Sequence, residues 1–161
     1  MRRRSSGVLM HITSLPGKQG IGTFGKSAYD FVDFLEETQQ TYWQLLPLTT
    51  TSYGDSPYQS FSAVAGNLNL IDFDLLEEEG LLEKVDYEGV NFGDNPEKVD
   101  YGLLFDARRP ILEKAVANVV KSDKVLAEIE KFEKENASWL VDYAEYMAIK
   151  ESFGYQSFIH W

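Results

Sequence analysis

The first fifty residues contain two short apolar segments separated by one amphipathic segment, and this order restricts the fold more than any other feature. Residues 8–12 (VLMHI) and 43–48 (WQLLPL) are short and apolar, as expected of buried strands. Four apolar side chains recur at helical spacing between them: Ala28, Phe31, Val32 and Leu35. Ser27 and Asp30 resemble a capping box at the start of this helix. A strand, a helix and a strand in this order predict a βαβ unit of an α/β fold, with parallel strands.

A long loop is predicted after the second strand, over residues 49–67 (TTTSYGDSPYQSFSAVAGN). Structureless connections longer than about 12–15 residues are uncommon, and most are binding loops or disordered linkers. Tyr53, Tyr58 and Phe61 argue against disorder, because disordered segments are poor in aromatic residues. A long aromatic loop at the end of a buried strand is where α/β proteins place their binding sites.

The composition of this loop favours an uncharged, hydroxyl-rich ligand. Tyr53 and Tyr58 offer flat apolar faces with a hydroxyl at the edge. Uncharged donors and acceptors surround them: Ser56, Gln59, Ser60, Ser62 and Asn67. The loop has no Lys or Arg, so a phosphate is a poor match, whereas a sugar fits. The alternative is an ordered loop whose polar groups bond only to one another.

The second half of the chain is predicted to be helical. Residues 74–80 form a short helix and residues 84–102 a loop, and three further helices follow from residue 103. Pro110 is expected near the start of the first of these or at a kink, Asn136 caps the third, and Gly154 ends it. Their aromatic residues are expected in a core. The predicted domains are residues 1–76, an α/β portion containing the loop, and residues 77–161, a mostly helical insertion.

Charge and composition exclude several classes of protein. The net charge of −11 argues against nucleic acid and against an anionic membrane surface as partners. There is no cysteine, so disulfides and thiolate metal sites are excluded. No apolar run is long enough for a signal peptide or a membrane span, so we expect a cytoplasmic protein. The two histidines are too far apart to suggest a metal motif, and we predict no cofactor and no metal.

The loop and several other segments carry a resemblance to a known family. Residues 54–63 (GDSPYQSFSA), 65–67 (AGN) and 70–72 (LID) resemble the first signature of the 4-α-glucanotransferases, also called amylomaltases or disproportionating enzymes. Further segments of the chain resemble the same family: RSSGVL at 4–9, TSLPG at 13–17, GIG at 20–22, YWQLLPL at 42–48, VDY at 99–101 and KE at 150–151. The resemblance runs from about residue 4 to residue 161 and therefore covers nearly the whole chain.

The resemblance implies a fold and a reaction. The fold is a (β/α)₈ TIM barrel with helical insertions, of which this chain would contain the first strands and helix plus an inserted helical subdomain. A barrel needs at least about 200 residues, so we expect the 161 residues to be the N-terminal fragment of a larger enzyme. The reaction transfers α-1,4-glucan segments between maltooligosaccharides by a retaining double displacement. The catalytic Asp, Glu and Asp of the family are expected beyond Trp161, so the fragment alone is expected to be inactive.

Substrate-binding residues follow from the resemblance position by position. Tyr58 matches a tyrosine that packs against the sugar beside the scissile bond, and Ser56 and Asp55 lie beside it. Tyr53 and Tyr101 match tyrosines that form a second glucan site in some members. Two residues depart from the family pattern, since Ile12 and Leu68 stand where proline is usual. These departures concern the local backbone and leave the resemblance intact.

The remaining acidic residues and His11 are predicted to be structural. Asp55 is expected to hydrogen-bond within its loop, and Asp72 and Asp74 to cap or orient the helix that follows them. His11 lies in a predicted strand and is expected to be a satisfied core residue. Nothing in the sequence places two carboxyl groups about 5–5.5 Å apart, as a retaining pair requires.

Two other functions remain open for the chain. It could be a stand-alone glucan-binding or helical interaction module, or an acidic structural protein. A partial barrel leaves strand edges and an apolar face uncovered, so we also expect possible self-association.

Overall fold

The structure is a computed structural model, and it describes residues 4–52 and 54–161. The chain divides into two compact units, a first that ends at Ala117 and a second over Asn118–Trp161. The predicted boundary after residue 76 separates a barrel portion from an insertion, whereas the two compact units are defined by packing density. The predicted boundary therefore stays a prediction.

Two short strands and one helix form the expected βαβ unit in the first unit. Strand β1 (Gly7–Leu9) pairs in parallel with β2 (Tyr42–Gln44), and helix α1 (Lys26–Glu37) connects them. In the register, Val8 lies opposite Trp43. The strands are shorter than predicted, because a 3₁₀ turn (Ile12–Ser14) follows β1 and no ladder continues through the segment after β2. The fold is thus a mixture of helix and strand.

A glycine precedes helix α1 as its N-cap residue, and the predicted capping box is wrong. Gly25 is the N-cap residue, and no side chain caps the helix there. A Cβ atom at this position would overlap the Asp72 carboxylate, so a larger residue would require that carboxylate to move. Ser27 lies inside the helix and its hydroxyl donates to Pro16 O over 2.6 Å, while Asp30 pairs with Lys26 over 2.6 Å. Gly25 thus packs closely against Asp72, a residue distant in the chain, and sequence periodicity does not show this contact.

The core of the βαβ unit surrounds Ile12. This side chain is fully buried and packs in a cluster with other buried residues: Leu15, Ala28 and Leu70. Trp43 packs edge-on against Phe31 with ring centroids 4.9 Å apart, and its indole N–H donates to Met10 O over 2.7 Å. Ile12 thus contributes apolar burial at the centre of this cluster.

Residues 68–80 form a 3₁₀ turn (Leu68–Leu70) and the short helix α2 (Phe73–Glu78). Asp72 caps α2, since its Oδ1 accepts from Asp74 N at 3.0 Å and from Leu75 N at 3.2 Å. The predicted capping role of Asp72 is therefore confirmed. The other carboxylate oxygen accepts from Thr23 Oγ1 at 2.5 Å. A third 3₁₀ turn (Lys84–Asp86) follows α2, and the segment from there to residue 100 is largely irregular.

Helix α3 (Tyr101–Val119) buries a charged side chain against the α2 region. Four buried residues follow one face of the helix: Leu104, Arg108, Ile111 and Ala115. The guanidinium of Arg108 lies 4.2 Å from the Phe73 ring centroid and donates to Gln19 O at 3.1 Å and to Ile71 O. Burial lowers the pKa of Arg108 to about 10, and the charge of Asp72 opposes this shift. Pro110 lies within the helix and not at its start.

The second unit contains α4 (Asp123–Glu135), α5 (Leu140–Ser152) and a final 3₁₀ turn (Phe158–His160). The prediction that Asn136 caps α5 is wrong, because Asn136 is the C-cap residue of α4, and its side-chain amide donates to Phe132 O over 2.9 Å. Gly154 follows the end of α5 with a φ of 62°, as predicted. Trp139 contacts the rings of Phe132 and Tyr143 at centroid distances of 6.5 and 6.1 Å.

The expectation that the aromatic residues of α4 and α5 lie in a core is wrong for the chain as the structure describes it. Neither helix has a buried residue over its described length. Trp139 and Tyr143 are half-buried and Phe132 is exposed. Helical spacing predicts which side chains share a face, but it does not predict what covers that face.

Candidate functional site

The loop over residues 49–67 returns to its starting point and is closed by backbone hydrogen bonds. Thr49 and Gly66 form an antiparallel bridge. Thr50 N donates to Ala65 O over 3.2 Å, and Asn67 N donates to Leu48 O over 3.0 Å. The two ends of the loop are therefore paired with each other. These paired residues, 48–50 and 65–67, form the loop stem.

Several hydroxyls that the sequence offered to a ligand bond within the loop. Ser52 Oγ donates to Gln59 O over 2.7 Å, and Ser60 Oγ donates to Ser62 O over 2.6 Å. Ser62 Oγ accepts from Ala65 N at 3.0 Å. These bonds match the alternative interpretation, an ordered loop whose polar groups satisfy one another. The hydroxyls therefore first fix the loop conformation, and Tyr58 contributes exposed aromatic surface.

Tyr58 is a well-exposed aromatic residue of the loop. It is 72% exposed, so the ring presents an apolar face to solvent. Ser56 holds the turn beneath it, since Ser56 Oγ accepts from Tyr58 N at 3.3 Å and Ser56 O accepts from Gln59 N at 3.0 Å. Tyr53, predicted for the second glucan site, lies outside the described residues.

Asp55 and Tyr101 lie close together, although the sequence assigned them to different sites. Asp55 has a φ of 56° and follows Gly54 at 89°, and its backbone N–H donates to Ser52 O over 3.1 Å. Tyr101 is half-buried at the start of α3. Burial raises the pKa of Tyr101, and the negative charge of Asp55 adds to this shift. Like tyrosine generally, Tyr101 is neutral at neutral pH, and its hydroxyl can donate a hydrogen bond.

Two cavities meet at Asp55 and Tyr101, which line both. The larger cavity measures about 340 Å³ and is otherwise lined by residues 93–95, 98–100 and 102. The smaller one measures about 130 Å³ and lies between the turn after β1 and the loop, with His11, Pro57 and Asn67 in its wall. Ser56 and Tyr58 flank Pro57 in the chain but do not line either cavity.

Sequence reasoning missed some of the polar residues around these cavities. The amide of Asn95 and the cation of Lys98 line the larger cavity, and no motif marked this irregular segment. His11 lines the smaller cavity, although a core position is expected for it from the sequence. The position of His11 at the carboxyl end of a parallel strand was the available signal, since binding residues gather at that edge.

Asp72 and Asp74, which are predicted to be structural, both have structural partners. Asp72 caps α2, and Asp74 accepts from the Tyr87 hydroxyl at 2.6 Å. Over residues 4–52 and 54–161, no group of three His, Asp or Glu side chains is placed to hold a metal ion. Within the same ranges, no helix has the length and apolar character needed to cross a membrane.

Comparison with known proteins shows the family of this chain. The family model described as 4-alpha-glucanotransferase matches residues 10–161. A 4-alpha-glucanotransferase of Streptococcus pneumoniae is 60% identical over 161 residues, which are 100% of this chain and 32% of that protein. A 4-alpha-glucanotransferase of Thermus thermophilus is 45% identical over 153 residues, which are 94% of this chain and 30% of that protein.

Solved structures agree with these sequence matches. The structure of an amylomaltase from Streptococcus agalactiae in complex with acarbose superimposes with a TM-score of 0.94 at 61% identity. The match covers 99% of this chain and 32% of that chain. The chain thus spans about a third of the length of the relatives that it matches. By sequence and by structure, the chain belongs to the 4-alpha-glucanotransferase family.

Proposed function

We propose that this chain forms part of a 4-alpha-glucanotransferase, which transfers α-1,4-glucan segments between maltooligosaccharides by a retaining double displacement. The observation that carries the proposal is the combination of 61% identity with a TM-score of 0.94 over 99% of the chain. The catalytic carboxylates are proposed to lie outside residues 1–161, and the chain alone is then inactive. Glucan binding by the described residues is a separate part of the proposal.

The proposed context of the site is a (β/α)₈ barrel. In this proposal β1 and β2 are neighbouring barrel strands, and residues 77–161 are a helical insertion. The loop over residues 49–67 follows β2 at its carboxyl end, where barrel enzymes place their active sites. The parallel pairing of β1 and β2 through α1 supports this assignment.

The proposed glucan contacts are Tyr58, Ser56 and Asp55, with Tyr53 and Tyr101 at a second glucan site. The exposed ring of Tyr58 provides an apolar face for the C–H groups of a sugar. Asp55 provides a carboxylate acceptor and Tyr101 a neutral phenol donor, both in the walls of the two cavities. Because Asp55 lines both cavities, a glucan in either one is proposed to contact it.

A chimeric protein tests the proposed activity. Residues 1–161 replace the matching 161 residues of the Streptococcus pneumoniae relative, and the chimera is incubated with maltotriose. We expect glucose and longer maltooligosaccharides, since the exchanged segments are 60% identical. A folded chimera that does not change maltotriose would contradict the proposal. The isolated chain is expected to leave maltotriose unchanged.

Replacing Tyr58 with alanine in this chimera should lower kcat/KM for maltotriose about two- to ten-fold, since one aromatic contact is worth roughly 0.5–1.5 kcal/mol. Initial rates of glucose release over a range of maltotriose concentrations give the value. Tyr29→Ala is the matched control, because Tyr29 is also exposed, at 63%, but lies on α1. Equal losses for the two variants would rule out a specific contact at Tyr58.

A stand-alone glucan-binding module is the second candidate function. It is favoured by the two cavities and the ordered loop, all of which lie in the first compact unit. Titration of the isolated chain with maltotriose, followed by tyrosine and tryptophan fluorescence, separates the two candidates. Millimolar affinity at best is expected for part of a larger enzyme, whereas micromolar affinity would favour the module.

We further propose that the isolated chain self-associates through the exposed face of its sheet. The side chains of Leu9 and Tyr42 lie on this face and are 58% and 63% exposed. A pair of three-residue parallel strands needs further pairing and cover to be stable. A second copy of the chain is the occupant that supplies this cover in the isolated protein.

Sedimentation equilibrium should therefore show a mean mass that rises with protein concentration, and Leu9→Lys should reduce this rise by placing a charge on the apolar face. Val85→Lys is the control, since Val85 is also well exposed but lies in the 3₁₀ turn over Lys84–Asp86. A monomer at every concentration, or equal effects of the two substitutions, would exclude association through the sheet.

A further inference from the structure

His11 lies at the end of the first strand and contacts two other segments of the site. The residue before it, Met10, still donates to Gln44 O of β2 over 3.2 Å. His11 itself is the N-cap residue of the turn over Ile12–Ser14. Its half-buried ring also forms part of the wall of the smaller cavity. The imidazole is thus placed between the strand end, the turn and the loop.

The hydrogen-bond partners of His11 define one tautomer of its ring. Thr13 N lies 3.3 Å from Nδ1, and because a backbone N–H only donates, Nδ1 is the acceptor and carries no proton. Thr13 Oγ1 lies 2.8 Å from the same nitrogen and is then a donor as well. Nε2 lies 3.4 Å from Pro47 O, which only accepts, so Nε2 carries the proton. Both sides of the ring therefore require the neutral form protonated at Nε2.

Pro47 immediately precedes the loop stem. Its neighbour Leu48 provides the carbonyl that accepts from Asn67 N, and the Thr49–Gly66 bridge follows. Proline has no N–H, so its carbonyl is the one backbone hydrogen-bonding group at this position. The bond from His11 therefore joins the end of β1 to the residue just before the loop stem.

We propose that His11 is a positioning residue that holds the base of the loop over residues 49–67 through Pro47, and so sets the orientation of Asp55 and Tyr58 toward a glucan. The role in glucan binding rests on the proposed function, whereas the anchoring of the loop does not. Both ring nitrogens of His11 have hydrogen-bond partners, as expected from the sequence. These partners belong to two segments of the site and not to the core.

Two substitutions separate the anchoring role from the capping role. His11→Asn keeps a side-chain oxygen that accepts from the N–H two residues on, as Asn67 does for Asn69 at 2.9 Å, but it is too short to reach Pro47. His11→Gln keeps an N–H donor at about the reach of Nε2 and loses the short cap geometry. The asparagine variant therefore removes the bond to Pro47, and the glutamine variant removes the cap.

Amide hydrogen exchange of the loop stem measures the anchoring in the isolated chain without a ligand. In His11→Asn, the N–H groups of Thr50 and Asn67 should exchange about three- to ten-fold faster, as expected for loss of one hydrogen bond. In His11→Gln they should exchange within about two-fold of the unchanged protein. Equal acceleration in both variants, or none in His11→Asn, would overturn the proposal.

Nitrogen-15 NMR of the unchanged chain tests the same geometry and does not depend on how a variant folds. The chain has two histidines, and a His160→Gln sample assigns the signals of His11. We expect a protonated Nε2 and an unprotonated Nδ1 for His11 at neutral pH. A ring protonated at Nδ1 is incompatible with the Thr13 N–H contact and would overturn the proposal.

The chimera with the Streptococcus pneumoniae relative tests the consequence for glucans. His11→Asn should raise KM for maltotriose about three- to ten-fold and change kcat by less, since the loop is displaced but the reacting groups are not. His160→Asn is the matched control. A folded but inactive unsubstituted chimera would refute the proposed function, while the exchange and tautomer results would still decide whether His11 anchors the loop.

Discussion

Replacing Arg108 with methionine should lower the free energy of unfolding by about 3–5 kcal/mol. The side chain is 1% exposed, and it holds together segments that are far apart in the chain. Its guanidinium donates to the carbonyls of Gln19 and Ile71 and lies against the ring of Phe73. Methionine keeps much of the apolar packing but leaves both buried carbonyls without this donor. It also leaves the Asp72 carboxylate without its neighbouring cation.

The midpoint and slope of urea unfolding, followed by circular dichroism, give this free energy. Arg109→Met is the matched control, because Arg109 is adjacent on α3 but pairs with Glu113 over 2.7 Å near the surface. An exposed pair of this kind contributes about 0–1 kcal/mol. A loss below about 1 kcal/mol for Arg108→Met would show that the buried donor bonds do not stabilise the first unit.

The βαβ unit was predictable from the sequence because it depends on local periodicity. The strand-helix-strand order and the cap at Asp72 came from residues close together in the chain. The ends of the elements were less predictable, since the N-cap residue of α1 is Gly25, which packs against Asp72 on another segment. Asn136 shows the same limit, because one residue can end one helix or begin the next.

The buried network and the arrangement of the candidate site depend on contacts between distant segments. A charged residue such as Arg108 on an amphipathic helix is usually exposed, so its burial had no signal in the sequence. The loop over residues 49–67 was recognisable from its length and aromatic residues. The meeting of Asp55 with Tyr101 was not, because nothing local to either residue indicates the other.

Replacing Gly20 with alanine should lower the free energy of unfolding by about 2–5 kcal/mol, for two separate reasons. Gly20 has a φ of 76°, a conformation that costs alanine about 1–2 kcal/mol. A Cβ atom there would also overlap the backbone carbonyl and Cβ of Phe92 and the side chain of Leu104. Relieving this overlap requires a backbone shift, which adds roughly 1–3 kcal/mol.

Gly80→Ala separates the two contributions, since Gly80 has nearly the same φ, 74°, and a Cβ atom added there would meet no other atom within 4 Å. It should lose only about 1–2 kcal/mol in the same urea experiment. Gly20 also adjoins Gln19, whose carbonyl accepts from Arg108. A shift at Gly20 should therefore weaken the Arg108 bonds, and the double variant with Arg108→Met should lose less than the sum of the single losses. Equal losses at Gly20 and Gly80 would show that the overlap at Gly20 does not contribute to the loss of stability. Full additivity with Arg108→Met would show that the close packing at Gly20 does not support the Arg108 hydrogen bonds.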